Sequence, residues 1–192
     1  MPSTDVELVW PGAAYVASYA AALERGWTPD NLRGEKAARE ELEEIAQDPE
    51  KFLARLVDRE AKGPPIELPD GTHVPRLPGY RRWVWDGEMC GTIGFRWQPG
   101  TSLLPSYVLG HIGYSIVPWK RGRGYATRAL ELVLQDARGE GLPYVELTTD
   151  ARNLASQRVI QNNGGVVVER FVKPPQYGGA ESLRFRIALS PE

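Results

Sequence analysis

The chain has 192 residues, 25% of them charged, with a formal net charge of −2, which argues against a general nucleic-acid binder, normally a basic protein. One cysteine, Cys90, and two histidines, His73 and His111, exclude an intramolecular disulfide and a cysteine-cluster metal site and leave too little for a His-rich zinc site, so no metal is expected. No apolar run approaches the ~20 residues of a membrane span, and Met1-Pro2-Ser3-Thr4-Asp5 lacks the basic and apolar regions of a signal peptide. The expectation is a cytoplasmic protein that meets no membrane and forms one domain over residues 1–192.

In chain order, residues 6–10 form a short β-type run ended by Pro11-Gly12. Residues 13–25 read as a helix with Tyr15, Val16, Tyr19, Ala20 and Leu23 on one side and Gly26 as its stop. A loop, 27–34, precedes a second helix over 35–47, whose Glu40, Glu41, Glu43 and Glu44 read as a solvated outer face ahead of a recognition surface for an amine. Asp48-Pro49-Glu50 is a helix start: a capping carboxylate, a proline in the first turn and an acid at the positive dipole end. Phe52, Leu53, Leu56 and Val57 continue it as an apolar stripe. These helices are expected to pack over a sheet.

Residues 62–78, rich in Pro and Gly, make a long loop of the kind that is either mobile surface or the border of a binding site. Asp86-Gly87 separates two β-type runs, 80–85 and 89–97, and signals a hairpin. Residues 98–106 are another loop.

The stretch 110–165 is the most informative. Ile112, Tyr114 and Ile116 alternate with His111, Gly113 and Ser115, the period of a strand, and Pro118 ends it. The turn Arg121-Gly122-Arg123-Gly124 follows, and then Ala126, Ala129, Leu130, Val133, Leu134 and Ala137 mark one face of a helix. Glycines let backbone approach a ligand closely, and the free N–H groups of a helix start favour phosphate. Lys120, Arg121, Arg123 and Arg128 add positive charge. Residues 144–149 read as the next strand, reached by a parallel crossover, Asn153 as the cap of a short helix to about Asn162, and 166–171 and 183–189 as closing strands.

Arg121-x-x-Gly124-x-Ala126, with Gly113-Tyr114 in the preceding strand, resembles the pyrophosphate-binding motif of the GNAT superfamily of acyl-CoA-dependent N-acetyltransferases. Asn153-Leu-Ala-Ser156-Gln-Arg158-Val-Ile160 is similar to the same family's second cofactor segment, and the close likeness runs over about residues 108–170. The resemblance implies an α/β fold: a central mixed, mostly antiparallel sheet flanked by helices, in which two parallel strands, 111–117 and 144–149, splay to admit the cofactor. Residues 1–80 would border the acceptor site, 81–170 would hold the hairpin and the acetyl-CoA core, and 171–192 the last strands.

It also implies site residues. The backbone of Ile116 and Val117 would pair with the pantetheine arm. Amides of Gly122, Arg123, Gly124, Tyr125, Ala126 and Thr127 would hold the pyrophosphate, supported by the Arg121 and Arg123 side chains. Asn153 and Ser156 would contact the cofactor or orient the thioester. The acetyl donor is acetyl-CoA, and the acceptor is a small-molecule or peptide amine. The protein would act as a monomer or homodimer.

Acetyl transfer to an amine needs a base, donors for the developing oxyanion and, at most, an acid for the leaving thiolate. His111 is the first candidate base, since an unperturbed imidazole titrates near pH 6.5. It stands where many family members have Glu. Its other reading is a histidine making structural hydrogen bonds. Glu146 is a second candidate base, otherwise an exposed strand carboxylate, and the N–H near Val117 a candidate oxyanion donor. Cys90 reads as a buried strand residue. The tyrosine that often serves the family as acid would fall at Ile160 and is absent; Ser156, Tyr114 or Tyr125 could supply a hydroxyl instead. That gap keeps a second reading open: an acyl-CoA-binding module without turnover. Nucleotide binding at the turn is weak, since a third glycine and a Gly-Lys-Ser/Thr end are both missing.

Overall fold

A computed structural model describes residues 6–189. The N-terminal five residues, part of the signal-peptide reading, and residues 190–192 of the expected domain lie outside the described residues. In chain order the elements are β1 (Glu7–Val9), α1 (Ala13–Glu24), α2 (Glu35–Gln47), α3 (Pro49–Arg55), β2 (Val57–Asp58), β3 (Ile66–Glu67), β4 (His73–Val74), β5 (Gly79–Trp85) and β6 (Met89–Arg96). There follow β7 (Ile112–Ile116), α4 (Tyr125–Gly139), β8 (Tyr144–Asp150), α5 (Leu154–Asn162), β9 (Val166–Val172) and β10 (Glu181–Ala188).

The order β1-β5-β6-β7 makes one antiparallel sheet, with β2 added to β5, and β8-β10-β9 makes a second. The expected parallel partners β7 and β8 share no ladder. They meet at one point, where the His111 N–H donates to the Glu146 carbonyl at 2.7 Å and the Glu146 N–H donates to His111 Nδ1 at 2.9 Å. Past that point no backbone hydrogen bond joins them among the described residues. The fold is therefore α/β with antiparallel ladders flanked by helices, and the splay is complete along β7.

Strand alternation sends each face of the first sheet to a different layer. Tyr80, Val84, Ile93, Phe95, Ile112 and Ile116 join Leu130, Val133 and Leu134 of α4 and Val145, Leu147, Phe185 and Ile187 of the second sheet in one core. Helix α4 thus bridges the two sheets. On the opposite face Trp83, Val117 and Met89 pack against Tyr19, Leu23, Trp27, Phe52 and Leu56 from the α1–α3 region. Tyr19 and Trp83 stack at 4.6 Å between ring centroids. Burying each such side chain contributes ~1.5–3 kcal/mol.

Two expectations are corrected here. Glu41 does not join the solvated face of α2: it is buried, accepts from the Tyr19 hydroxyl, and pairs with Arg81 at 2.8 Å. Helix phase alone could not pick it from its glutamate neighbours. Val57 leaves the apolar stripe because α3 ends at Arg55 and the chain turns into β2, where Val57 is exposed. Asp48 does cap α3, accepting from the Lys51 N–H at 3.0 Å.

Candidate active site

The turn before α4 is open backbone. Gly122 and Gly124 have φ of 73° and 80°, the left-handed region that costs a side chain strain. Gly124 caps α4 without any side-chain hydrogen bond, and the first turn carries no acid. No amide of residues 122–127 donates to a protein acceptor among the described residues. Six consecutive exposed or half-exposed N–H groups at the positive end of a 15-residue helix form an anion cradle. The dispositions expected for Gly122, Arg123, Gly124, Tyr125, Ala126 and Thr127 thus lie together, and these residues fit a pyrophosphate.

The neighbouring charges divide. Arg121 and Arg123 are exposed beside the cradle, Arg121 Nε donating to the Ile116 carbonyl at 3.0 Å. Lys120, expected to add to the cradle, instead turns inward: its ammonium is buried and donates to Asp86 at 2.5 Å. Arg128 pairs with Glu131 at 2.8 Å. Asp86 also accepts from the Tyr125 hydroxyl at 2.7 Å, so the β5–β6 hairpin turn clamps the start of α4. Desolvation resists the Asp86 charge, but the hydrogen bonds from Lys120 and Tyr125 outweigh it and hold the carboxyl down at about 2. The sequence marked Asp86 only as a turn residue.

Next to the cradle lies the free edge of β7. The Val117 N–H donates to the Cys90 carbonyl at 2.9 Å, and the Val117 carbonyl accepts from Lys120. Val117 is therefore committed to β6 and to its own turn, which corrects its expected place as oxyanion donor and pantetheine partner. By alternation the amides of Tyr114 and Ile116 face the splay instead.

The expected bases fare differently from their sequence reading. His111 is fully buried. Its Nδ1 accepts the Glu146 N–H, so Nε2 carries the proton, and Nε2 has no acceptor among the described residues. Burial pushes its pKa down to about 4, against the opposing pull of Glu146. A ring with its lone pair engaged cannot receive a proton from an amine, so the structural reading of His111 replaces the catalytic one. Glu146 is not an exposed carboxylate either: Arg186 holds it at 2.7 Å and Arg184 at 3.3 Å.

Asn153 caps α5, its Oδ1 accepting from the Ser156 N–H at 3.0 Å. The Ser156 hydroxyl lies 2.8 Å from the Tyr114 hydroxyl, joining α5 to β7 across the splay. Burial pushes the Tyr114 phenol up to about 12, with the Ser156 hydrogen bond pulling the other way. Ile160 is buried in the main core, against Gly165. That position faces inward in this chain, so the absence of a tyrosine there leaves the site untouched. Cys90 is buried, and desolvation raises its thiol to about 12, which makes it inert as a nucleophile.

On the α2 side of the first sheet a cavity of about 960 Å³ opens over Gly94, the ladder partner of Gly113. Residues 66–69 and 75–77 of the long loop wall it, so that loop borders a cavity and is braced by the small β3–β4 hairpin.

A family model described as "Acetyltransferase (GNAT) domain" matches residues 36–166. The chain belongs to the GNAT acetyltransferase family. Solved structures agree on the fold. A ribosomal-protein alpha-N-acetyltransferase in complex with coenzyme A aligns with a TM-score of 0.63 at 12% identity, covering 99% of this chain and 97% of that one. A microcin self-immunity acetyltransferase with acetyl-CoA and AMP aligns at 0.58 and 10% identity, covering 98% and 97%. A spermidine N-acetyltransferase chimera involving Vibrio cholerae aligns at 0.57 and 12% identity, covering 96% and 95%. Among curated proteins none matches significantly. Within this GNAT chain the described residues hold no helix long and apolar enough to cross a membrane and no group of three potential metal ligands.

Proposed function

We propose that this acetyltransferase moves the acetyl group of acetyl-CoA to a primary amine by direct attack in a ternary complex. The observation that carries the reading is the run of six unpartnered amides at the start of α4, set beside the free edge of β7. When bound, the cosubstrate supplies the thioester; the chain's residues supply the rest. Amides 122–127 and the guanidinium groups of Arg121 and Arg123 bind its phosphates, and Arg121 gives up the Ile116 carbonyl as the pantetheine arm pairs there. The amides of Tyr114 and Ile116 meet the oxyanion charge that develops as the amine adds. The Ser156 hydroxyl, backed by the Tyr114 phenol, delivers a proton to the departing thiolate and regains one from the second proton that the nitrogen sheds as the amide forms, while Asn153 holds α5 in place. The amine enters from the cavity over Gly94 and loses its proton to solvent there.

Gly124→Glu puts a side chain and a negative charge into the cradle. Calorimetry with acetyl-CoA should show binding lost while the circular dichroism spectrum stays that of the parent and stability falls only by the ~1–2 kcal/mol that a side chain costs at this left-handed position. Unchanged affinity would overturn the cradle. The absence of a free side-chain base at His111 favours the other reading, an acyl-CoA-binding module. Thiol release from acetyl-CoA in the presence of an amine panel separates the two, since only the enzyme turns over.

A further inference from the structure

The cavity over Gly94 carries six cationic side chains: Arg33, Lys36, Arg55, Arg76, Arg81 and Arg96. Five have a carboxylate within ion-pair distance. Arg33 and Lys36 pair with Glu40, Arg55 with Glu44, Arg76 with Asp58, and Arg81 with Glu41. Arg96 has none among the described residues and donates its guanidinium to nothing. Desolvation, and then the neighbouring positive charge of Arg81, both pull its pKa down.

Its position is as telling as its isolation. Arg96 ends β6, its N–H donating to the His111 carbonyl at 2.9 Å. Its side chain reaches Gly113, the ladder partner of Gly94, where a Cβ would meet the guanidinium at 3.5 Å. Gly113 adjoins Tyr114, whose amide faces the splay. The unpaired cation therefore stands over the strand that separates the cavity from the cofactor edge. The nearby hydroxyls are taken: Tyr107 donates to the Pro75 carbonyl and Tyr177 to the Tyr107 carbonyl. Two carboxylates of the lining, Asp30 and Glu67, also lack an ion pair among the described residues, but the group set against Gly113 is the guanidinium, which disfavours a positive charge at that point. It offers a planar fork of donors to a carboxylate.

We infer that the acceptor is a primary amine that also carries a carboxylate, and that Arg96 binds that carboxylate while the amine is presented at Gly113. This rests on the acetyltransferase reading above and names its substrate class. The ligand brings the counter-ion that the protein does not build in.

The test uses amino acids and dipeptides, each as the free acid and as the primary amide, with the parent, Arg96→Gln and Arg96→Lys. Arg96 lies open in the cavity, so neither change should disturb folding, and circular dichroism checks this. In acetyl-CoA-dependent thiol release the parent should prefer acid over amide by about tenfold or more through KM, as expected for one charge-assisted pair. Arg96→Gln should lose that preference with a smaller change in kcat, and Arg96→Lys should keep part of it. The same acid and amide pairs are titrated calorimetrically into protein saturated with coenzyme A, so that the carboxylate preference is read without turnover. Equal use and equal binding of acids and amides by the parent, or a preference that survives in Arg96→Gln, would overturn the inference. Coenzyme A binding measured on the same samples scores the underlying reading separately. A protein that binds coenzyme A but ignores the carboxylate loses only the inference.

Discussion

The main-chain N–H of Glu146 donates to Nδ1 of His111 at 2.9 Å, and through this bond a side chain completes what a β ladder leaves unfinished between β7 and β8. The two strands meet there and part beyond it, so His111 fixes where the splay begins. The neutral ring is what the site requires. With a folded-state pKa near 4 and an ordinary value of 6.5, the ring is neutral in both states above pH 6.5, and the stabilisation is then complete. As pH falls from 6.5 towards 4 the unfolded chain takes a proton that the folded chain refuses, and stability drops by up to about 3 kcal/mol. His111→Asn keeps an acceptor for the Glu146 N–H and removes the titration. Urea unfolding between pH 7 and 4.5 should therefore show a shallower decline in the variant. Parallel curves for variant and parent would sink this account.

Much of this part of the fold was legible before any coordinates. The alternation at Ile112, Tyr114 and Ile116, the helical spacing from Ala126 to Ala137 and the cap at Asn153 are local patterns, and β7, α4 and α5 follow them closely. The bare helix start was legible for the same reason, since glycines and a helix start lie within six residues. What stayed hidden depends on contacts far apart in sequence. His111 is buried because a strand 35 residues later reaches it. Lys120 loses its part in the cradle to an aspartate 34 residues earlier. Glu41 is drawn inward by Tyr19 and Arg81, which no helical period of α2 encodes. Arg96 differs from the other arginines of the cavity in lacking a carboxylate partner, which no local pattern around it encodes.

The Tyr114 and Ser156 hydroxyls lie 2.8 Å apart across the splay, and in the proposed mechanism they act as one unit. Tyr114→Phe and Ser156→Ala should each lower kcat by about tenfold to a hundredfold, the lower part of what a positioned acid contributes. KM for acetyl-CoA should change little. The double variant should be hardly worse than either single one, because removing one hydroxyl already breaks the relay. With the phenol at about 12, it stays protonated through pH 10 and gives no basic limb to the profile. Additive losses in steady-state kinetics would mean that the hydroxyls act separately.

Asp86 ties the hairpin turn to the cradle through Lys120 and Tyr125. Its carboxyl sits near 2 when folded against an ordinary 3.8, so it stabilises above pH 3.8 and loses that contribution as pH falls towards 2. Asp86→Asn should cost about 2 kcal/mol at pH 7, with the deficit shrinking on acidification. Acetyl-CoA affinity should fall several-fold, because the first turn of α4 loses its anchor. Denaturant melts at pH 7 and 3 together with calorimetry check both halves, and a deficit independent of pH would place the loss elsewhere.

Two glycines allow packing and cofactor binding to be separated. Gly91 in β6 has φ 154°, and a Cβ there would stand 2.2 Å from the Ser115 carbonyl oxygen and 2.9 Å from Ile116 Cα. Those are backbone atoms of β7, so Gly91→Ala must push away the strand whose other edge is proposed to receive the cofactor. At Gly165 a Cβ would stand 2.4 Å from Ile160 Cγ2 and 2.8 Å from the Ile160 carbonyl, at the far end of α5. Both substitutions should cost ~1–3 kcal/mol through overpacking. They should part in calorimetry. Gly91→Ala loses acetyl-CoA affinity by about tenfold or more, ~1.4 kcal/mol of binding free energy, whereas Gly165→Ala binds nearly as the parent does. If the two variants lost affinity alike, the edge of β7 would not be where the pantetheine arm pairs.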